Sequence, residues 1–128
     1  MSITKYVHDW FERADEDLKV AEILMKETGN PNPVCFHSQQ AAEKYLKGFL
    51  AYHEKHIRKV HDLKALLAFC IQIDSSFEAL DTPAAFLDQF YIETRYPGDI
   101  PEFTLTEARK AYEAAKFVKE FILGKIKA

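Results

Sequence analysis

An amphipathic pattern occupies residues Pro33–Glu54, PVCFHSQQAAEKYLKGFLAYHE. Its apolar residues recur every three to four positions, which is the period of an α-helix with one face against a core. The polar side chains His37, Gln40, Lys44 and Lys47 fall opposite that face, within an arc of about 80° at about 100° per residue. The segment therefore predicts a helix with a buried face and a narrow set of four polar residues, which we call the polar stripe.

Small residues flank the polar stripe. Ala41, Gly48 and Ala51 lie beside it, and a glycine in mid-helix costs about 1 kcal/mol relative to alanine. Such a glycine usually has a packing reason. We therefore expect this face to be covered by a closely approaching helix, from this chain or from another subunit, or to line a ligand cleft. The alternative is an ordinary solvated helix face.

The rest of the chain repeats the helical period, and no segment alternates in the way a strand does. Capping signals separate the helices: Gly29 ends the first, Asn32 with Pro33 begins the second, and Thr104 with Glu107 forms a capping box for the last. The predicted fold is all-α: one domain, 1–128, forming an antiparallel up-down bundle of four long helices plus a short helix. The predicted elements are Thr4–Glu27, Pro33–Glu54, a third helix from His61 and Asp62, a short turn at Phe77 and Leu80, Thr82–Tyr96, and a last helix from Thr104.

Composition limits the classes of function. The 128 residues carry 17 basic and 20 acidic side chains, a net charge of −3, so no global basic surface for duplex nucleic acid exists, although a local site for a nucleotide or a short strand remains open. No apolar run approaches the ~18 residues of a membrane span, and the N-terminus lacks a secretory signal. We expect a cytoplasmic protein with no membrane association. Cys35 and Cys70 fit reduced core thiols.

Two further places fit a ligand site. His61 and Asp62 precede a predicted helix, where free N–H groups favour anions; the alternative is that Asp62 only caps the helix. Arg95 and Tyr96 end the fourth helix and offer planar donors for phosphate and a ring for stacking; the alternative is an arginine that suits the helix dipole beside the helix-stopping Pro97. The nearby histidines match no metal-ligand spacing, so no metal is predicted.

Four segments resemble a known family. They are FHSQQAAEKYLK at 36–47, Ala14 with Asp17-Leu18, HDL at 61–63, and YIETRYP at 91–97. In this order, and over almost the full length, they resemble HEPN domains. The resemblance implies a helical bundle that is commonly dimeric, often accompanies a minimal nucleotidyltransferase, and was proposed to bind nucleotides. Several branches of that family are metal-independent ribonucleases that act as toxins or defence effectors.

The sequence departs from the ribonuclease branch, which carries an arginine followed after four to six residues by a histidine. None of the four arginines is followed in this way, and Ile100, Pro101 and Glu102 stand where the histidine after Arg95 is expected. Without that imidazole the usual acid–base partner is missing, so we assign no catalytic residue and discount ribonuclease activity. A spatial substitute, His37 or His61, stays open.

The leading hypothesis is a nucleotide-binding HEPN homodimer, partnered by a minimal nucleotidyltransferase in a toxin–antitoxin-like module, with no cofactor required. In it, lysines and an arginine hold phosphate, a tyrosine stacks, and the remaining groups orient base or ribose. An RNA-cleaving toxin and a non-catalytic dimerisation module are the alternatives. The candidate nucleotide-binding residues are His37, Gln40, Lys44, Lys47, His61, Asp62, Arg95 and Tyr96.

Overall fold

Five α-helices form the bundle in the computed structural model, which describes residues 2–57, 59–91 and 96–126. These ranges contain no β-strand, and two 3-10 turns, Ser75–Leu80 and Pro97–Asp99, join the helices. The all-α prediction is confirmed. Within the same ranges, no helix combines the length and the apolar character that crossing a membrane requires. The helices are α1, Lys5–Glu27; α2, Pro31–Tyr52; α3, Leu63–Ile73; α4, Asp81–Asp88; and α5, Leu105–Lys125.

α1 and α2 run antiparallel and form the most extensive helix–helix contact. Toward the start of α2, His37 Nδ1 lies 3.0 Å from Asp17 Oδ1. Toward its end, Gly48 meets the ring of Phe11. The contact position in α1 falls as the position in α2 advances, which is the antiparallel sense.

The segment after α2 carries the chain back along that helix. His61 Nδ1 lies 3.1 Å from each carboxylate oxygen of Glu43, near the middle of α2. Further along both helices, the Cys70 thiol donates to Leu46 O at 3.9 Å. α3 therefore runs in the same sense as α2, which is the one step here that departs from simple up-and-down alternation. This return places His61 against the middle of α2.

α2 is the central helix of the core. The ring centroid of Phe49 lies 4.3 Å from that of Phe77, which in turn lies 5.0 Å from that of Phe121 on α5. Burying one such side chain contributes roughly 1.5–3 kcal/mol. Cys35 and Cys70 are free and buried, and burial raises the pKa of each thiol to about 12. The prediction of reduced core thiols is confirmed.

Helix ends follow the capping signals in most places. The Thr4 hydroxyl accepts from Val7 N at 3.2 Å, and Thr104 with Glu107 forms the predicted capping box. Gly29 has φ 64° and donates its N–H to Leu24 O at 3.1 Å. That left-handed conformation favours glycine because a Cβ would crowd the backbone.

The start of α2 differs from the prediction. The helix begins at Pro31 with Asn30 as its N-cap, so Pro31 rather than Pro33 takes the first helical position. Asn32 is drawn into a tertiary contact: its side-chain amide donates to Pro101 O at 2.9 Å, and its side-chain oxygen accepts from Phe103 N at 2.9 Å. A side chain that bridges to the loop before α5 cannot also cap its own helix.

The predicted fourth helix, Thr82–Tyr96, is wrong at its C-terminal end. α4 stops at Asp88, whose carboxylate accepts from Leu63 N at 2.7 Å and from Lys64 N at 3.1 Å. Two residues later Phe90 is fully buried. The helix ends there because Asp88 is hydrogen-bonded to the start of α3 and Phe90 is buried in the core.

Gly48 has the predicted reason of a closely approaching helix, and that helix is α1 of the same chain. A Cβ built at Gly48 would lie 2.5 Å from Phe11 Cε1. The close approach of Phe11 therefore explains the glycine, and no second subunit is needed to explain it.

Gly48→Ala should lower the free energy of unfolding by about 1–3 kcal/mol, because the new methyl overpacks against the Phe11 ring. The measurement is urea unfolding followed by circular dichroism. Gly124→Ala is the matched control, because no atom lies within 4 Å of a Cβ there and alanine favours a helix by up to about 1 kcal/mol. Equal unfolding midpoints for Gly48→Ala and the wild type would contradict this account.

Candidate functional site: a polar network on α2

Two residues of the polar stripe, His37 and Lys44, form polar contacts with Asp17 of α1. Asp17 of α1 accepts from Lys44 Nζ through one carboxylate oxygen, and its other oxygen lies 3.0 Å from His37 Nδ1. All three side chains are largely buried. One carboxylate therefore holds a lysine and a histidine together at the α1–α2 contact.

A third residue of the polar stripe, Lys47, pairs with a second carboxylate, that of Glu43. Lys47 Nζ lies 3.0 Å from Glu43 Oε2, and the two side chains are only 7% and 4% exposed. Lys47 Nζ also lies 5.7 Å from the ring centroid of Trp10, in cation–π range. Burying a charge is costly unless it is paired and hydrogen-bonded, so Glu43 and Lys47 each require the other.

An amide bridge joins the stripe to the segment before α3. Gln40 Nε2 donates to Gln39 Oε1 at 2.7 Å, and Gln39 Nε2 donates to His61 O at 3.1 Å. Gln39 is fully buried. The bridge fixes the His61 backbone while Glu43 holds its ring.

The His61 ring is the accessible end of the network. Its side chain is about half exposed, and it stacks on Tyr91 with centroids 4.7 Å apart and planes 11° from parallel. With Nδ1 facing a carboxylate, Nε2 is the atom through which the ring can exchange a proton with a ligand. A carboxylate-oriented imidazole is a form suited to general acid–base chemistry.

Asp62 caps α3, and a second carboxylate shares that helix end. Asp62 accepts from Lys64 N at 2.9 Å, while Asp88 accepts from Leu63 N and Lys64 N. Burial first, and the hydrogen bond to Asp62 second, raise the pKa of Asp88 to about 6. The same hydrogen bond holds the pKa of Asp62 low. These two carboxylates occupy the N-terminus of α3, the place where the sequence offered an anion site.

Arg95, predicted to hold phosphate, lies outside the described residues. Tyr96 is 80% exposed, and its backbone oxygen accepts from Asp99 N at 2.8 Å. Its ring projects to solvent, and it has no described contact with the network on α2. The structure therefore brings His37 and Lys44 together at Asp17, and Lys47, His61 and Gln40 together around Glu43 and Gln39.

Family comparisons agree with this architecture. The sequence model of the HEPN domain family matches residues 7–126. The chain belongs to the HEPN domain family.

Solved structures and a curated relative resemble this HEPN chain over nearly its whole length. TT1696 from Thermus thermophilus is 31% identical with a TM-score of 0.85, covering 96% of this chain and 100% of that one. ST0689, described as an archaeal HEPN homologue, is 30% identical with a TM-score of 0.77, covering 94% and 98%. The protein named "Putative toxin MJ1304", from Methanocaldococcus jannaschii, is 28% identical over 132 residues, covering 92% of this chain and 86% of that protein.

Sequence reasoning missed the two carboxylates that organise the HEPN site. In the sequence, Asp17 stood out only through the family resemblance; in the structure its side chain is 13% exposed and holds His37 and Lys44. A signal for Glu43 existed: at about 100° per residue, Gln39 falls inside the apolar arc of α2 and Glu43 falls at its edge, next to Leu50. Polar residues in a buried arc need partners, and those partners prove to be Lys47 and His61.

Lys47→Met and Glu43→Gln should each lower the free energy of unfolding by about 3–5 kcal/mol, because each leaves a buried group without its charged partner. The double variant Glu43→Leu with Lys47→Met should recover most of that loss, because no unpaired charge remains. Urea unfolding midpoints test both. Asp9→Asn is the matched control: it breaks another i,i+4 pair, with Lys5, whose side chains are 87% and 48% exposed, and should cost less than about 1 kcal/mol. A double variant as unstable as the singles would refute the paired-charge account.

Asp88→Asn should change the pH dependence of stability. Because the pKa of Asp88 is raised from 3.8 to about 6, the native state binds more protons than the unfolded state between those values, and stability falls as pH rises through them. Asparagine keeps an acceptor for Leu63 N and supplies a donor toward Asp62. We expect the variant to be more stable than the wild type by about 1–2 kcal/mol at pH 8 and equal to it near pH 4. Unfolding midpoints measured across this range check it, and a wild-type advantage at pH 8 would contradict it.

Proposed function

We propose that this HEPN chain is the helical component of a toxin–antitoxin-like module, that it acts as a homodimer with a minimal nucleotidyltransferase as partner protein, and that it binds a nucleotide at the network on α2. Family membership and the relative named as a toxin support the module. The proposal of nucleotide binding rests on one observation: two carboxylates each contact one lysine and one histidine.

Each carboxylate holds one lysine and one histidine: Asp17 holds Lys44 and His37, and Glu43 holds Lys47 and His61. The charges of the two lysines balance those of the two carboxylates. A phosphate that binds here competes with these carboxylates for the lysines.

The aromatic pair of His61 and Tyr91 supports a site for a base. The half-exposed imidazole extends a stacked surface, and aromatic faces bind bases with little sequence preference. Gln40 is linked to His61 through Gln39, which donates to His61 O. The stacked ring and Lys47 thus belong to one group around Glu43, and Lys44 with His37 belongs to a second group around Asp17.

Exposed apolar side chains support the homodimer. Val20 and Ile23 of α1, and Phe117 and Leu123 of α5, are each more than a third exposed although large and apolar. Apolar surface of this kind gains from being covered by a second copy. Phe121, one turn after Phe117 on α5, packs edge-on against Phe77 and belongs to the core.

A second candidate is RNA cleavage, favoured by the contact between Glu43 and His61. A buried carboxylate that orients an exposed imidazole can serve a general base or acid. The sequence has no histidine four to six residues after an arginine, so His61 would take the place of that histidine in proton transfer.

The binding test is calorimetric titration with ATP, GTP and a short single-stranded RNA. We expect binding that is weakened at least tenfold by Lys44→Gln and little changed by Lys26→Ala. Lys26 is the control because it is an exposed cation in the last turn of α1. Absence of binding by every ligand would refute the nucleotide part.

The same samples separate the alternatives. Light scattering measures the oligomeric state. A stable dimer that binds no nucleotide favours the non-catalytic dimerisation module. RNA cleavage that His61→Gln abolishes and His37→Gln spares favours the second candidate. Growth arrest on expression, relieved when a minimal nucleotidyltransferase is co-expressed, supports the module, and unimpeded growth counts against it.

A further inference from the structure

Gln40 is the residue of the polar stripe that, within the described residues, is bonded to neither carboxylate of the network on α2. The other three members of the stripe are each held at one of those carboxylates. Gln40 instead donates from its side-chain Nε2 to Gln39 Oε1 at 2.7 Å, and its side chain is partly exposed. Gln40 therefore keeps hydrogen-bonding capacity that the described part of the fold does not use.

The direction of that hydrogen bond is fixed by the backbone of His61. Gln39 Nε2 donates to His61 O at 3.1 Å, and a carbonyl oxygen can only accept. Because Gln39 is fully buried and its nitrogen is held at that carbonyl, its Oε1 faces Gln40. An amide oxygen also only accepts, so Gln40 must turn Nε2 toward it. The His61 carbonyl thus sets the orientation of two successive side-chain amides.

The other arm of the Gln40 amide ends in an acceptor, Oε1, to which no group of the described residues donates. In that part of the chain, the buried side-chain nitrogen and oxygen atoms without a partner are Trp10 Nε1 and Ser38 Oγ, so Gln40 Oε1 is open to a ligand. An amide turned the other way would set the oxygens of Gln40 and Gln39 against each other. Gln40 therefore presents an acceptor in a fixed direction.

A fixed acceptor selects a ligand group that carries hydrogen. The base edges of a nucleotide differ in this respect: adenine and cytosine carry an exocyclic amino group, which donates, where the corresponding oxo bases carry a carbonyl oxygen, which accepts. An amino group would pair with Gln40 Oε1, whereas a carbonyl would bring two acceptors together. The acceptor lies one glutamine away from His61, whose half-exposed ring is the proposed seat of a base.

We propose that Gln40 is a specificity-determining residue whose side-chain oxygen selects bases with an exocyclic amino group, adenine or cytosine, over the corresponding oxo bases. Gln39 is the positioning residue that acts through Gln40. The selection rests on the proposed nucleotide site and goes beyond it, because phosphate binding by lysines requires no preference among bases.

The test is calorimetric titration with two matched pairs of triphosphates, ATP with ITP and CTP with UTP. Within each pair the sugar and the phosphates are the same, and an oxo group replaces the amino group. We expect the amino nucleotide of at least one pair to bind about fivefold more tightly than its partner. Equal affinities within both pairs would overturn the selection and leave the nucleotide site standing, whereas no binding by any of the four would overturn both.

Matched variants assign the preference to the two glutamines. Gln40→Leu removes the acceptor and should bring the affinities within each pair to about the same value. Gln39→Met leaves Gln40 in place but frees its amide to turn, so the preference should fall because the oxo nucleotide binds more tightly, a change that loss of stability alone would not produce. Gln72→Leu, on the exposed face of α3, is the control and should keep the wild-type ratio. An unchanged ratio in Gln40→Leu would overturn the assignment.

A ribose hydroxyl is the other donor that a nucleotide offers to an acceptor, and 2′-deoxy-ATP distinguishes it from the base. We expect 2′-deoxy-ATP to bind about as tightly as ATP. Weaker binding of 2′-deoxy-ATP that Gln40→Leu abolishes, with ATP and ITP equal, would place the sugar at Gln40 and overturn the selection of bases.

Discussion

The carboxylate of Glu43 is buried near the middle of α2. Its burial requires partner groups close to it, and these partners form the candidate site. A charge in that position is tolerated because Lys47, one turn along the helix, and His61, from the segment before α3, both lie within hydrogen-bond distance. The pairing ties the returning chain to the middle of α2. The start of α3, the Asp62 cap and the contact of Asp88 with Leu63 all follow from where His61 is held.

Asp17 repeats this arrangement at the surface of the α1–α2 contact, with Lys44 and His37 in place of Lys47 and His61. Both lysines of the polar stripe, Lys44 and Lys47, are therefore already paired with a carboxylate. Each is shared with a carboxylate, so any anion that binds must compete with that carboxylate for it.

The fold is common to this chain, TT1696 and ST0689, and a shared helical bundle does not decide chemistry. What distinguishes members of such a family is which polar groups the bundle holds at its accessible edges. In this chain one such group is the half-exposed imidazole of His61.

The sequence by itself determined the helices, because apolar periodicity and capping residues such as Thr4, Gly29 and Thr104 act within a few residues of where they stand. It also determined that α2 carries the polar stripe. Only the tertiary structure decided what the stripe touches. Asp17 meets His37 across 20 residues, Glu43 meets His61 across 18, and Asp88 ends α4 by reaching Leu63 across 25. Such contacts depend on the direction in which each helix returns, and periodicity along one helix carries no information about its neighbour's direction.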